Sequence, residues 1–450
     1  MIGYNSRMTK TTQKSQSTVR HTRAIQADRQ KRPLVDNLTD EVEALFHSLV
    51  HPLTLSQCDL FRQMGLRERT LTLPVMMALF LSAVWRQIAA VNELARLIRD
   101  EAVLWEEPKR VSQQALAERL NTLPAALFLN VLNQLLPLMQ QRWEKRDRPI
   151  PPEIAWAQQH FTACLIVDGS TLDALMRKVG LLRDLEKHPL AGKMTALLHL
   201  GSQLPDKLWF DANATSHDQS FWEAILAHIR SGSLLLFDLG YTNFTFYRQL
   251  TEKGVTYITR AKSNLKYEVV QVLVNTPVFR DRIVWIGTGD DRQQVRLVEV
   301  LYGKSWRRFL SNDLDPEQLP ARYLVALYYR RWTIERAYAT IKRLLGLAYF
   351  WSGSQNAVEL QLWSTWIIYT VLIDLCDEVA GLLRLPFERI SVEMVFRSIY
   401  YYTKAVKRGD GRSLPEYLAE RSADLGIVKR KRKNETSVFE SWPLTIASKP

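Results

Sequence analysis

The sequence is short of the residues that staple small folds or bind soft metals. Its 450 residues include 3 cysteines, Cys58, Cys164 and Cys376, far apart and with no Cys-x-x-Cys pair. That spacing excludes a disulfide framework and a cysteine-based zinc site. The 8 histidines are equally scattered and spell out no metal cluster. With Gly 18 and Pro 18 the chain is no low-complexity polymer. Long hydrophobic runs are missing too. The longest, Leu71–Val84 and Leu362–Ile373, fall short of the roughly 20 apolar residues that span a bilayer, and the polar N-terminus lacks a signal-peptide core. The expectation is a soluble chain in a reducing cytoplasm, with no membrane partner.

Acid is also in deficit. The 47 Asp+Glu against 60 Lys+Arg leave a formal net charge of +13, so a polyanion, nucleic acid before membrane, is the expected partner. Twelve of those 13 charges sit in two short segments, residues 1–33 and the run Lys429-Arg430-Lys431-Arg432-Lys433, leaving a nearly neutral body. Residues 1–33 are rich in Ser, Thr, Gln and basic side chains, too polar to bury a core, and read as a disordered arm.

Apolar residues at three- and four-residue spacing predict helices over Glu41–Val50, Leu73–Arg99, Ser112–Leu120 and Ala125–Trp143, with Pro137 expected to kink or break the last. The span 34–148 reads as a helical domain with possible DNA binding. Ser112–Leu120, the break at Asn121-Thr122 and Pro124 outline a helix-turn-helix, but Ala125–Leu132 is too apolar to read a groove and reads as core. A Pro-rich stretch, Asp147–Pro152, then separates two textures. Beyond it, strand-length apolar runs (Cys164–Val167, Met194–His199, Leu208–Ala212, Leu234–Phe237, Val255–Thr259) alternate with helices Gln219–Arg230 and Phe244–Lys253, as in an α/β sheet. Residues 265–312 hold β-rich segments with no helix between them, a β-meander inserted in the α/β region. A long helix spans Ala321–Leu345, punctuated by Pro320 and Gly346, and helices near 357–383 and 390–405 follow.

Two strands run into acids, Cys164–Val167 into Asp168-Gly169-Ser170 and Leu234–Phe237 into Asp238-Leu239-Gly240-Tyr241. An acid just past an apolar strand lies where open α/β sheets place ligands. In the helix Ala321–Leu345, Tyr328, Arg331, Glu335 and Lys342 fall within about 60° of its circumference at 100° per residue. Either a surface ion-pair ladder or a charged stripe facing a cleft fits that spacing; the surrounding Tyr329, Trp332, Ile334, Tyr338 and Ile341 favour a packed helix. Three carboxylates from two strand ends and a helix suit a two-metal phosphoryl-transfer site, since hard divalent cations take oxygen ligands.

Tyr328-(2)-Arg331-(3)-Glu335-(6)-Lys342 resembles the signature of the IS-four group of bacterial DDE transposases, and the two aspartate segments resemble that group's catalytic strand ends. The resemblance covers roughly residues 160–375. It implies a multidomain α/β fold: an RNase H-like core in two parts, 155–264 and 313–383, interrupted by the β-rich insertion at 265–312. A C-terminal helical region and basic tail, 384–450, follow. It implies Asp168, Asp238 and Glu335 as catalytic ligands of two Mg²⁺ or Mn²⁺ ions, and cut-and-paste excision and strand transfer through a DNA hairpin. Tyr328, Arg331 and Lys342 would bind phosphates, Trp306 (then Trp285) would stack on a flipped base, and Arg260 and Lys262 match a basic element near the site. Double-stranded DNA, both element ends and target, and a homodimer in a synaptic complex are the implied partners, in the nucleoid-bearing cytoplasm of a bacterium. Weaker candidates are Asp173 as a further ligand, His217 beside the metals, and Ser216 as a helix cap. A catalytically silent DNA-binding regulator and a nuclease of the same fold remain the alternatives.

Overall fold

The computed structural model describes residues 40–430 other than 89, 173–191, 214, 215, 217, 348, 349 and 353. The arm 1–33, residues 431–433 of the basic run, Asp173 and His217 therefore lie outside the described residues. The helical N-terminal segment comprises α1 (Asp40–Leu49), α2 (His51–Leu55), α3 (Cys58–Gln63), α4 (Leu73–Arg86), α5 (Val91–Asp100), α6 (Gln113–Thr122), α7 (Ala126–Lys145) and α8 (Pro152–His160). Two expectations change here. The single helix read over Leu73–Arg99 is two helices, because Gln87 takes a left-handed conformation at φ 57° and ends α4. Pro137 does not end α7, which continues to Lys145; Leu135, Leu136 and Met139 bury that stretch, and packing outweighs the lost backbone bond.

The strands are β1 (Cys164–Thr171), β2 (Lys193–His199), β3 (Pro205–Asp211), β4 (Leu234–Leu236), β5 (Thr256–Arg260), β6 (Glu268–Asn275), β7 (Phe279–Ile286), β8 (Gln293–Tyr302) and β9 (Ser305–Ser311). They form one nine-stranded sheet in the order β3-β2-β1-β4-β5-β9-β8-β7-β6. Only part of it follows the alternating strand–helix pattern. The strands β1, β2 and β3 pair antiparallel in sequence, whereas β1, β4 and β5 are mutually parallel. Helices α9 (Trp222–His228) and α10 (Phe244–Glu252) fall between β3 and β5. The meander β6–β9 is antiparallel throughout and continues the same sheet, because β9 pairs with β5. Inside it, the Arg296 guanidinium is fully buried against Asp281 (Nη2–Oδ2 2.6 Å, Nε–Oδ1 2.9 Å) and also donates to the Leu319 carbonyl.

After the meander come α11 (Ala321–Arg330), α12 (Trp332–Ala339), a π-helical turn Thr340–Leu344, α13 (Gln355–Leu382), α14 (Val392–Val406) and α15 (Leu414–Glu420). The helix read as continuous over Ala321–Leu345 is thus tightened at Arg331, where Arg331 N–H reaches back to the Tyr328 carbonyl (3.0 Å), and loosened at Thr340. Helix α13 is buried on every side, as a helix apolar all round must be. It packs against α4, α6 and α7 from the N-terminal segment and against α14 and α15 behind it. Polar locks fix its two ends. Asn356 donates to the Leu120 and Leu123 carbonyls (2.9 and 2.7 Å), while Arg146 pairs with Asp374 (2.7 Å) and Asp377 (3.1 Å). Among the described residues no single helix is long and apolar enough to cross a membrane.

Asp206 at the start of β3 accepts from His199 (3.2 Å) and His228 (2.7 Å). Burial works to raise its pKa, but the two imidazoles outweigh burial and hold it well below the usual carboxylate range. A depressed carboxylate contributes stability above its unfolded pKa, near 4, and loses it as pH falls. Asp206→Asn is expected to cost about 2 kcal/mol at pH 6. In thermal melts the gap from the parent should begin to narrow below about pH 4 and close only well below that, where Asp206 takes up its proton in the folded chain.

Candidate active site

The ladder between β1 and β4 runs from Cys164↔Leu234 to Ile166↔Leu236. Asp168 and Asp238 each stand two residues beyond that last pair, Asp168 still inside β1 and Asp238 past the end of β4, capping the turn Leu239–Tyr241. Within β1 two residues keep the face, so Asp168 shares the side of Ile166, which with Leu236 belongs to the same core as Ile334, Ala337 and Tyr338 of α12. Asp168 differs from expectation in one respect. It lies inside β1 rather than past its end, because pairing with β2 continues through Asp168↔Ala196 to Thr171↔Lys193. Both carboxylates are locally pinned: Asp168 accepts from Gly169 N–H (2.8 Å) and Asp238 from Gly240 N–H (2.7 Å). The Asp238 carbonyl also accepts from the Thr259 hydroxyl of β5 (3.4 Å).

The third acid arrives on α12, and Arg331 draws the set together. Its guanidinium, in a residue only 5% exposed, donates from Nη2 to Glu335 (2.9 Å) and lies 3.6 Å from Asp168 through Nη1. Burial works against the Arg331 charge, yet Tyr328, Glu335, Asp168 and Asp238 outweigh it and raise its pKa. All three acids are therefore within electrostatic reach of one cation. Tyr328 is buried edge-on against Phe309 of β9 (5.3 Å), and burial pushes its hydroxyl up against the pull of Arg331 and Arg260. Arg260, at the end of β5, is thus part of this neighbourhood.

Further along the helix, the Tyr338 hydroxyl donates to the Asp168 carbonyl (2.5 Å) and accepts from Ala196 N–H (3.1 Å), clamping β1 to β2. Lys342, on the π turn, donates to the Ser170 hydroxyl and the Thr171 carbonyl, both at 2.6 Å. Arg331, Tyr338 and Lys342 consequently track β1 from Asp168 to Thr171. The Ser216 hydroxyl donates to the Asp211 carboxylate.

Other predicted residues stand apart. Lys262 is exposed in the loop after β5. Trp306 lies on the face of β9 opposite Phe309, three residues away, with the Arg280 guanidinium over its ring at 4.2 Å. Trp285 is covered in the same way by Arg292 (4.5 Å). Trp332, expected to pack, is instead 53% exposed with Arg331 at 5.1 Å over its ring. Tyr338 and Ser170 were missed altogether. Ser170 had a signal in its place two residues after Asp168, whereas Tyr338 was indistinguishable from a core aromatic.

All of these acids and their cationic neighbours fall within residues 163–371, which match the Transposase DDE domain family. Residues 163–371 belong to the DDE transposases. A relative from Sinorhizobium fredii, named as a transposase, is 30% identical over 161 residues, 32% of this chain and 43% of its own. A Synechocystis relative, named as a transposase of the insertion sequence element IS4SA, is 22% identical over 161 residues, 35% of this chain and 45% of its own. The chain thus spans less than half the length of either relative, and the IS4 element in the second name agrees with the Tyr-Arg-Glu-Lys signature. The piggyBac transposase synaptic complex with hairpin DNA overlays loosely, at TM-score 0.38 and 13% identity, over 91% of this chain and 87% of that one. The DDE transposase segment begins one residue ahead of β1 and ends inside α13, so it takes in the sheet, the meander and the Glu335 helix.

Proposed function

We propose that this chain is a cut-and-paste DNA transposase of the IS-four group, acting on the ends of its own insertion sequence. The reading is carried by one observation: the buried Arg331 lies against Asp168 of β1 and Glu335 of α12, with Asp238 just past β4 also contributing to its charge, inside a DDE transposase segment. The order β3-β2-β1-β4-β5, with β2 alone reversed, supports an RNase H-like core, and the meander β6–β9 then corresponds to the group's β-rich insertion.

An all-carboxylate donor set fits Mg²⁺ or Mn²⁺ by its hard oxygen chemistry. Among the described residues no three such groups are arranged as a cation cage, because the acids face Arg331. Bound there by Asp168, Asp238 and Glu335, such ions would supply activation of the attacking oxygen and charge for the leaving one. The chain's own residues do the rest. Arg331 and Lys342 offer fixed positive charge to phosphates flanking the scissile one. Tyr328 and Arg260 line the same approach, with Lys262 on the neighbouring loop. Gly169 and Gly240 amides hold two of the acids in orientation. Trp306 is the proposed base platform of the meander, and Trp332 offers an exposed ring beside Arg331. A homodimer bridging two element ends, working at the bacterial nucleoid, completes the proposal.

The test is a product assay on labelled DNA carrying element ends, with Mg²⁺, with Mn²⁺ and with chelator. Nicked, hairpin and joined products are expected with either metal and none with chelator. Binding without cleavage in both metals would favour the silent regulator, and cleavage with no joined product the nuclease.

A further inference from the structure

The end of α4 breaks a local rule. It closes in a Schellman motif, with Ile88 N–H donating to the Ala83 carbonyl (2.9 Å) and Gln87 N–H to the Val84 carbonyl (3.1 Å). The left-handed residue of that motif is usually Gly, since a side chain there costs about 1–2 kcal/mol. Here it is Gln87, at φ 57° and ψ 41°. Its amide reaches across the molecule and donates to the Leu344 carbonyl at 2.5 Å. The next carbonyl, of Ile88, accepts from the Trp351 indole at 2.8 Å. Two consecutive residues of the N-terminal segment therefore grip the chain on either side of Gly346, where the helix carrying Glu335 and Lys342 ends.

The gripped element is itself irregular. Leu345 N–H reaches the Thr340 carbonyl (2.9 Å), five residues back, which under-winds the helix over Thr340–Leu344. Such π turns carry a geometric cost and need support from outside the helix. This one decides where Lys342 points. Its ammonium meets Ser170 and Thr171 at the far end of β1, beyond the reach of Arg331.

We propose that Gln87 is a positioning residue for Lys342: its side-chain amide, presented from a strained backbone, holds the Leu344 carbonyl and so fixes the π turn that aims the lysine along β1. The inference rests on the transposase reading for what Lys342 does, but not for how it is held. It also assigns a task to the N-terminal helices, that of bracing the catalytic helix from behind.

Two variants separate the amide from the backbone. Gln87→Gly relieves the left-handed strain and removes the donor; Gln87→Glu keeps size and strain but leaves an acceptor facing a carbonyl. Hydrogen exchange of residues 340–347, read by mass spectrometry on the full chain, is expected to speed up about 10-fold in both, while the Gln87→Gly melting temperature is not lowered. Unchanged exchange in either variant would overturn the proposal. In single-turnover cleavage of element ends both should lose about 5- to 20-fold in rate with little change in DNA affinity. Adding either to Lys342→Ala should cost nothing further, and additive losses would likewise overturn it. A parent chain that does not cut would instead remove the transposase reading, leaving the exchange result to decide the role of Gln87.

Discussion

Asp168→Asn, Asp238→Asn and Glu335→Gln are each expected to lower metal-dependent cleavage and joining of element-end DNA by at least about 1000-fold, equivalent to some 4 kcal/mol of transition-state stabilisation. The substitutions keep size and hydrogen bonding while removing one ligand charge. Asp168 and Asp238 accept from backbone amides of Gly169 and Gly240, and an Asn carbonyl can accept those bonds too. Glu335 is 39% exposed, so its neutral counterpart needs no repacking. Folding should therefore survive, with melting temperatures close to the parent's. DNA affinity should hold or rise, because each variant removes a negative charge from a phosphate-binding surface. Gel shifts and product gels on the same preparations separate the two effects. Full joining activity in any one variant would sink the triad assignment.

Asp281→Ala is expected to destabilise the chain by about 3–5 kcal/mol, because it strands a buried guanidinium. Arg296 is fully buried, and Asp281 supplies both of its carboxylate contacts. What remains after the substitution are two neutral acceptors, the Leu319 carbonyl, one residue ahead of Pro320 and α11, and the Asp315 carbonyl at 3.4 Å. The loss should shift the melting temperature by roughly 10 °C. Replacing the pair together, Asp281→Leu with Arg296→Met, should recover most of it, since no charge is then left unpaired. If the double variant is as unstable as the single, the cost lies in packing rather than in the stranded charge.

Much of the catalytic half was legible in the residues. Apolar runs ending in Asp168 and Asp238 marked two adjacent strands, and Pro320 and Gly346 bracketed the helix of Glu335. The lack of helical spacing over 265–312 marked the meander. What stayed hidden depends on distant parts of the chain. The extension of β1 through Thr171 is dictated by β2, which lies beyond an intervening segment. Gln87 ends α4 with no Gly or Pro to announce it, because a tertiary bond compensates the strain. Trp332 matched a core pattern but sits where α11 passes into α12 and the helix face turns outward. The π turn has no compositional mark either: Thr340–Leu344 reads as ordinary helix until its outside supports are seen.

The long buried helix α13 has a bearing on how such genes can be cut and rejoined. The recognisable transposase segment stops at residue 371, partway along a helix that runs to Leu382. Its flanks are covered by α4 and α7, encoded far upstream, and by α14 and α15, encoded downstream. A fragment with the segment's own limits would leave an apolar rod wet on several sides and severed before Asp374 could meet Arg146. The segment is thus separable in sequence but not in packing. Any transfer of this segment to another chain must carry the helices before and after it, or supply others that cover the same rod.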